Sequence, residues 1–160
     1  MNKLHFLCGK MAAGKSTLSN KLTEKYDAVL LCEDDMLAKL YPLEITSIQD
    51  YLKYSHRLKE VLKEHVVELL SKGNNVVMDF PANTKNQRAW FREIFESANV
   101  EHVLHYVDKS DELCKAQLKK RNENVADDTP LANEETFDAI TKYFEAPKSE
   151  EKFNIQIIRK

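Results

Sequence analysis

Glycine, proline and cysteine are all scarce in this chain of 160 residues, which contains three glycines, four prolines and three cysteines. The cysteines are odd in number and widely spaced, and their spacing excludes a metal site built from paired cysteines. We therefore expect three reduced thiols. We find no internal repeat, low-complexity tract or linker. The length suits one domain that spans residues 1–160 and is large enough to bury a core.

Long apolar runs and a strong net charge are also absent. No apolar run is long enough to span a membrane, and the N-terminus leads straight into a strand pattern without the features of a signal peptide. The net charge of -2 gives no broad attraction to polyanions. The composition, 42% hydrophobic and 31% charged, is ordinary for a globular protein. We expect a soluble, cytoplasmic protein without a membrane partner, whose oligomeric state stays open.

Two of the three glycines fall in one short segment. Gly9 follows an apolar run, and Gly14, Lys15 and Ser16 precede a helical pattern. This is G-x-x-x-x-G-K-[ST] between a strand and a helix, the context that a phosphate-binding loop requires. Its backbone N–H groups and the helix N-terminus attract phosphate oxygens. We predict a nucleoside-triphosphate site in which Lys15 reaches the β- and γ-phosphates and Ser16 binds Mg²⁺. The loop comprises Gly9, Lys10, Met11, Ala12, Ala13, Gly14, Lys15, Ser16 and Thr17.

Strand patterns alternate with helical patterns along the whole chain. We predict strands at 4–8, 28–32, 75–78, 100–107 and 153–158, and helices at 17–26, 36–41, 55–72, 84–97, 110–121 and 133–144, with 43–54 undecided. The alternation predicts an α/β fold with a parallel five-stranded sheet covered on both faces. Ligands bind at the carboxyl edge of such a sheet. Gly9, Asp34, Asp79 and Asp108 should therefore gather there.

Two strand ends supply candidate carboxylates. Asp34 and Asp35 follow the second strand, where a carboxylate opposite the γ-phosphate can accept the proton of an attacking hydroxyl. Asp34 is the preferred general base, because Asp35 is placed to cap or support the next helix, although either could serve. Asp79 ends the third strand, the usual position of a carboxylate that holds Mg²⁺ with the loop serine. The alternative for Asp79 is a turn residue.

Arg121 closes a predicted helix just before an aperiodic loop at about 122–132. An arginine there can close over the nucleotide as part of a lid and stabilise the transferring phosphoryl group. The alternative is a cation favoured at a helix C-terminus. Asn83 and Arg88 either reach the site or lie in solvent at a helix start. The sequence lacks a guanine-specific N-K-x-D motif, which favours ATP over GTP and argues against a signalling GTPase.

Together these segments resemble small P-loop kinases such as the 5′-hydroxyl kinase domain of polynucleotide kinases, zeta-type toxins and chloramphenicol phosphotransferase. The resemblance covers nearly the whole chain, from the loop through the segments at 32–37, 76–88 and 118–122 to 144–151. It implies an adenylate-kinase-like fold with a small lid, and phosphoryl transfer from ATP to a hydroxyl, with Asp34 as the catalytic aspartate. It does not imply one acceptor.

The chain departs from the polynucleotide kinases at three positions. Their lid carries a second arginine where this chain has Val125, so the resemblance does not identify the residues that complete the lid. Their catalytic aspartate is preceded and followed by arginines where this chain has Glu33 and Leu37. The cations that would hold an acceptor phosphate are therefore missing.

The acceptor is the least determined part of the prediction. Residues 122–151 contain nine acids against Lys142 and Lys148. An acidic rim would favour a neutral or cationic small molecule over nucleic acid, which needs basic and aromatic side chains. The alternative is a solvated acidic helix face. Three functions follow in order of preference: an ATP- and Mg²⁺-dependent kinase of a small-molecule hydroxyl, a 5′-hydroxyl kinase of nucleic acid or nucleotides, and an ATP-dependent switch. Tyr41, Tyr51, Tyr54, His56 and Arg57 either line the acceptor pocket or pack in the core.

Overall fold

A computed structural model describes residues 1–123 and 131–159. Five parallel strands form its sheet: β1 (Lys3–Cys8), β2 (Val29–Cys32), β3 (Val76–Asp79), β4 (Glu101–Val107) and β5 (Ile155–Ile158). Their spatial order is β2-β3-β1-β4-β5, which confirms the predicted α/β architecture. The first strand is central, with Leu4 opposite Val76 on one side and His102 on the other. The carboxyl ends of all five strands therefore open on one edge.

Within the described ranges, six helices surround the sheet: α1 (Lys15–Tyr26), α2 (Glu33–Leu40), α3 (Ile48–Ser71), α4 (Lys85–Ala98), α5 (Asp111–Glu123) and α6 (Glu134–Thr141). Side chains cap four of them, and at the start of α5 Ser110 Oγ accepts a hydrogen bond from Leu113 N at 3.2 Å. Ser47 accepts a hydrogen bond from Asp50 N at the start of α3, Thr84 does so for α4, and Asn133 for α6. Each cap satisfies one N–H that lacks a partner within its helix. A short 3₁₀ turn, Ser149–Glu151, leads into β5.

Side chains of the central strand alternate between the two faces of the sheet. Leu4, Phe6 and Cys8 pack against the apolar stripes of α3 and α4 in the largest buried cluster. Leu7 packs on the opposite face beneath α1, with Leu22 and Val77. A third cluster connects the phosphate-binding loop to α5 and α6. Both faces are covered, as expected for a parallel sheet.

Several elements differ from the sequence predictions, and α6 ends at Thr141 rather than at residue 144. The second helix begins at Glu33, directly after β2, so Asp34 and Asp35 lie in its first turn and no side chain caps it. The third helix begins at Ile48 and takes in most of the undecided segment, because Ser47 caps it there. The last strand begins at Ile155 rather than at residue 153. The side chain of Phe153, just before the strand, packs against the largest buried cluster.

Most of the predicted lid lies outside the described residues, since 124–130 include Val125, Asp127 and Asp128. The two ends that flank this segment are connected, because Asn122 Nδ2 donates to Ala132 O at 2.6 Å. None of the helices in the described ranges combines the length and apolarity needed to cross a bilayer.

Candidate active site

The phosphate-binding loop takes the backbone form that its sequence predicted. Ala12 has φ 63° and Gly14 has φ 103°, so left-handed residues alternate with others and turn successive N–H groups toward one side. Ala13 N donates to Lys10 O at 3.1 Å and closes the turn. Met11 packs against the third buried cluster, and Lys10 pairs with Asp111 at 2.7 Å. The loop is therefore shaped by its own backbone and anchored to α5.

Lys15 lies along the start of the loop. Its Nζ donates to Gly9 O at 2.5 Å and to Lys10 O at 3.0 Å. Burial lowers the pKa of the Lys15 ammonium, while the carboxylates of Asp79 and Asp34 act in the opposite direction. The cation that the motif assigns to the phosphates is thus buried at the start of the loop, and both acids favour its charged form.

Ser16 and Asp79 meet at the edge of the sheet. Ser16 Oγ donates to Asp79 Oδ2 at 3.3 Å, and two further groups approach the same oxygen: Ser19 Oγ at 3.5 Å and Cys32 Sγ at 3.8 Å. Burial raises the pKa of the Cys32 thiol to about 11, which keeps it a neutral donor. Ser19 was not among the predicted site residues, although its position one helical turn after Ser16 places it on the same helix face.

The oxygen pair formed by Ser16 and Asp79 suits Mg²⁺. This ion takes oxygen ligands and is usually held by one or two carboxylates together with substrate phosphates and waters. Nowhere in the described ranges do three histidine, cysteine or acidic side chains converge into a metal-binding group. The two oxygens of Ser16 and Asp79 fit an ion whose other ligands are nucleotide phosphates and waters.

Asp34 stands on the other side of the same edge, in the first turn of α2. The residue is exposed, yet the surrounding chain reduces the hydration of its carboxyl group. This desolvation and the neighbouring Asp79 raise the pKa of Asp34, while Lys15 and, more weakly, Arg121 act to lower it. All three charges are therefore close enough to Asp34 to affect its ionisation. Asp35 is exposed beside it and, like Asp34, makes no helix cap.

Arg121 is exposed in the last turn of α5, at the start of the predicted lid. Its positive charge acts weakly to lower the pKa of Asp34. Its position fits a cation favoured at a helix C-terminus, and its action on the nucleotide from the lid stays a prediction.

Glu33 is buried, with 1% of its surface exposed, and turns away from the edge. Its carboxyl group accepts hydrogen bonds from Tyr51 OH and from Ser55 Oγ at 2.5 Å, both on α3. Burial raises the pKa of Glu33, and these two hydrogen bonds oppose that shift. The acid that replaces an arginine of the polynucleotide kinases thus joins two helices and presents no charge to an acceptor. Tyr51 belongs to this contact rather than to an acceptor pocket.

Of the other candidates, Asn83 contacts the phosphate-binding loop, and the rest make contacts within the fold. Arg88 is 0% exposed and pairs with Glu151 through two hydrogen bonds of 2.8 and 3.2 Å, so it does not reach the site. Asn83 does reach the loop, because its Oδ1 accepts from Gly9 N at 2.9 Å. Asp108 pairs with Arg159 at 3.3 Å. His105 is buried against His5.

Several acids of the predicted acidic rim have partners of their own. Lys115 of α5 pairs with Glu134 at 3.5 Å and Asp138 at 2.8 Å, both on α6. Glu145 accepts from Lys85 N, and Glu151 pairs with Arg88. These acids hold helices together, so their number does not measure the charge that an acceptor would meet.

Comparison with solved structures finds the same fold in proteins named as kinases and in Kti12. A sugar kinase from Janibacter sp. HTCC2649 superposes with a TM-score of 0.70 at 13% identity, covering 99% of this chain and 86% of that one. Chaetomium thermophilum Kti12, in complex with ADP-AlF3, gives 0.67 at 12%, covering 98% and 88%. The Mycobacterium tuberculosis APS kinase, in complex with AMPPNP and APS, gives 0.61 at 19%, covering 92% and 84%. At sequence identities this low, the superpositions establish that the proteins share a fold and no more.

No curated protein matches the sequence. A family model described as an AAA domain matches residues 4–147, nearly the whole chain and all of the candidate site. The chain belongs to this AAA domain family, and its fold is that of the small P-loop kinases that the sequence resembles.

Proposed function

We propose that the protein is an ATP- and Mg²⁺-dependent phosphotransferase that moves the γ-phosphoryl group to a hydroxyl of a small molecule. The observation that carries this proposal is that three kinds of functional group lie at one edge of the sheet. These are the Lys15 cation, the Ser16–Asp79 oxygen pair and the Asp34 carboxyl, whose ionisation responds to both Lys15 and Asp79. Each is a part that phosphoryl transfer requires.

In this proposal the loop N–H groups and Lys15 bind the β- and γ-phosphates. Ser16 and Asp79 would hold Mg²⁺, which supplies charge neutralisation on the phosphate oxygens. Asp34 accepts the proton of the acceptor hydroxyl as its oxygen bonds to the γ-phosphorus, and ADP leaves. Arg121 stabilises the negative charge of the transferring group from the lid side.

The raised pKa of Asp34 suits this role. A general base works best when its pKa lies near the working pH, because a stronger base gains more from taking the proton. Desolvation of the carboxyl group and the charge of Asp79 raise the pKa of Asp34 in that direction, whereas Lys15 favours the ionised form.

A small-molecule acceptor is favoured by two observations. Glu33 and Leu37, which replace the arginines of the polynucleotide kinases, are both buried and offer no contact to an acceptor phosphate. The neighbours named as a sugar kinase and an APS kinase act, by their names, on small molecules. A neutral or cationic polyol fits this description, with a 5′-hydroxyl end of nucleic acid as the rival.

The test is transfer of labelled γ-phosphate from ATP to a panel of sugars, nucleosides, 5′-hydroxyl oligonucleotides and aminoglycosides. Lys15→Ala serves as the blank. Asp34→Asn should reduce transfer by about 10²–10⁴-fold while it still binds ATP. Asp35→Asn, at the exposed neighbouring position, is the matched control and should stay near wild type. Normal transfer by Asp34→Asn would disprove the base assignment. ATP binding without transfer to any acceptor would favour a switch.

A further inference from the structure

Asn83 connects the phosphate-binding loop to two other parts of the chain. Its side-chain Oδ1 accepts from Gly9 N at 2.9 Å, across 74 positions of sequence. Its backbone N donates to Gln87 Oε1 at 2.8 Å, within the first turns of α4. Its backbone O accepts from Glu145 N at 2.8 Å, in the segment that follows α6. The same asparagine therefore touches the loop, a helix start and the C-terminal segment.

The hydrogen bond to Gly9 falls where the sheet ends and the loop begins. Cys8 is the last residue of β1, so Gly9 N lies just beyond the regular strand ladder. A buried N–H without an acceptor is costly, and the direction of this N–H fixes the plane of the peptide that enters the loop. Asn83 satisfies that donor from the side.

Lys15 holds the next peptide plane, because its Nζ donates to Gly9 O and Lys10 O. Binding of a triphosphate draws the ammonium of such a lysine to the phosphate oxygens. The hydrogen bond from Gly9 N to Asn83 does not involve that ammonium, so a movement of Lys15 does not by itself break it. The amide of Asn83 is thus suited to hold the start of the loop in both conditions.

Asn83 is itself held in place. Glu145, whose N–H it binds, accepts through Oε1 from Lys85 N at 3.1 Å. Gln87, whose Oε1 it contacts, also donates its N–H to the cap residue Thr84. The backbone N–H and C=O of Asn83 are therefore both hydrogen-bonded, which fixes the orientation of its main chain.

We infer that Asn83 is a positioning residue for nucleotide binding, which acts through the Gly9 amide and pre-organises the loop for phosphate. The inference rests on the proposed function, since it takes a nucleoside diphosphate or triphosphate as the ligand. It assigns no contact between Asn83 and the nucleotide.

The experiment measures ADP binding in the presence of Mg²⁺ by calorimetry. It compares wild type, Asn83→Ala and Asn86→Ala, the same change at an exposed position three residues along. Asn83→Ala should bind ADP about tenfold more weakly, the effect expected for loss of one hydrogen bond that orders the site. Asn86→Ala should bind as wild type does. Hydrogen exchange at the Gly9 amide, measured by NMR, should be faster in Asn83→Ala alone.

The outcomes separate the two proposals. If wild type binds no ADP, the proposed function fails. If Asn83→Ala binds within twofold of Asn86→Ala, or weakens binding with Gly9 exchange unchanged, the positioning role is overturned and the proposed function stands. If Asn83→Ala does not fold, Asn83→Asp keeps an acceptor oxygen and should retain slow exchange at Gly9. Fast exchange in that variant also overturns the role.

Discussion

A single missing side chain shapes the start of the phosphate-binding loop. A Cβ built on Gly9 would lie 3.2 Å from Val107 O and 3.3 Å from the Lys15 side chain. Both distances are shorter than ordinary carbon contacts. The main chain therefore passes between β4 and the motif lysine only because residue 9 has no side chain.

We predict that Gly9→Ala weakens ADP binding by displacing Lys15. Crowding of this kind costs about 1–3 kcal/mol, which corresponds to a loss of roughly 5- to 150-fold in affinity. Gly73→Ala is the control, since a Cβ there meets nothing but φ is 92°, so it should lower only the unfolding free energy, by about 1 kcal/mol. Calorimetry and urea unfolding distinguish the two. Unchanged ADP affinity in Gly9→Ala would contradict the account.

The pairing of α2 with α3 shows how two elements fix one functional residue. Glu33 precedes Asp34 in the first turn of α2, and its buried carboxyl group is held by Tyr51 and Ser55 of α3. The orientation of the turn that carries the candidate base thus depends on a helix that begins later in the chain.

Tyr51→Phe should destabilise the protein by about 1.5–3 kcal/mol, because it removes a hydrogen bond to a buried carboxyl group. Tyr143→Phe is the matched control, since Tyr143 is 67% exposed and this change should fall within about 0.5 kcal/mol. Urea unfolding measures both. Equal stabilities would mean that Glu33 gains nothing from Tyr51.

The neighbouring strands β1 and β4 bury a pair of histidines. His5 Nδ1 and His105 Nε2 lie 3.0 Å apart, and the His5 ring stacks on Tyr26. Among the described side chains, His5 Nε2 is the only buried polar atom without a hydrogen-bond partner. Burial lowers the pKa of each histidine from 6.5 to about 4. The pair is therefore neutral in the folded protein.

This pair should make stability depend on pH. Between pH 6.5 and about 4 the histidines are protonated in the unfolded chain but not in the folded chain. The contribution of the pair to stability is therefore fully present above pH 6.5 and is lost as the pH falls toward 4. The slope approaches about 1.4 kcal/mol per pH unit for each histidine. Urea unfolding at several pH values should show a shallower slope for His5→Phe/His105→Phe. The exposed control His65→Gln should keep the wild-type slope, and a double variant with that same slope would refute the assignment.

Contacts between distant elements are the features that the sequence did not predict. The strands, the loop and the positions of Asp34 and Asp79 follow from local periodicity and a motif, and the predicted parallel sheet is confirmed. The first turns of α3 were left undecided, because their apolar pattern is weak and Ser47 sets their start. The burial of Glu33 and Arg88 was missed, since each depends on a partner far away in the sequence.

On the scale of the whole molecule, the C-terminal segment is tied to α4 beneath the sheet edge. Arg88 is fully buried and pairs with Glu151, and Arg92 donates to Glu151 O at 2.6 Å. Burial pushes the pKa of Glu151 upward, but hydrogen bonds from Arg88 and Lys148 N outweigh it and the pKa is lowered. The ionised pair therefore fixes the path of the chain from α6 to β5.

Glu151→Ala should cost about 3–5 kcal/mol, because it leaves the Arg88 charge buried without its partner. Glu150→Ala, one residue earlier and exposed, should leave stability within about 0.5 kcal/mol of wild type. Both are read from urea midpoints at pH 7. A loss below 1 kcal/mol in Glu151→Ala would show that the segment is held by other contacts.

The central position of β1 also sets the order in which the protein can assemble. Leu4 pairs with Val76 and His102, so the strand that is synthesised first obtains neighbours only after most of the chain exists. Contacts between such distant residues slow folding, and unpaired apolar strands are prone to aggregation. During translation the phosphate-binding loop therefore follows a strand without hydrogen-bonded neighbours until β3 and β4 have been synthesised. A nascent chain that stalls before β4 would leave one edge of β1 open to pairing with another chain.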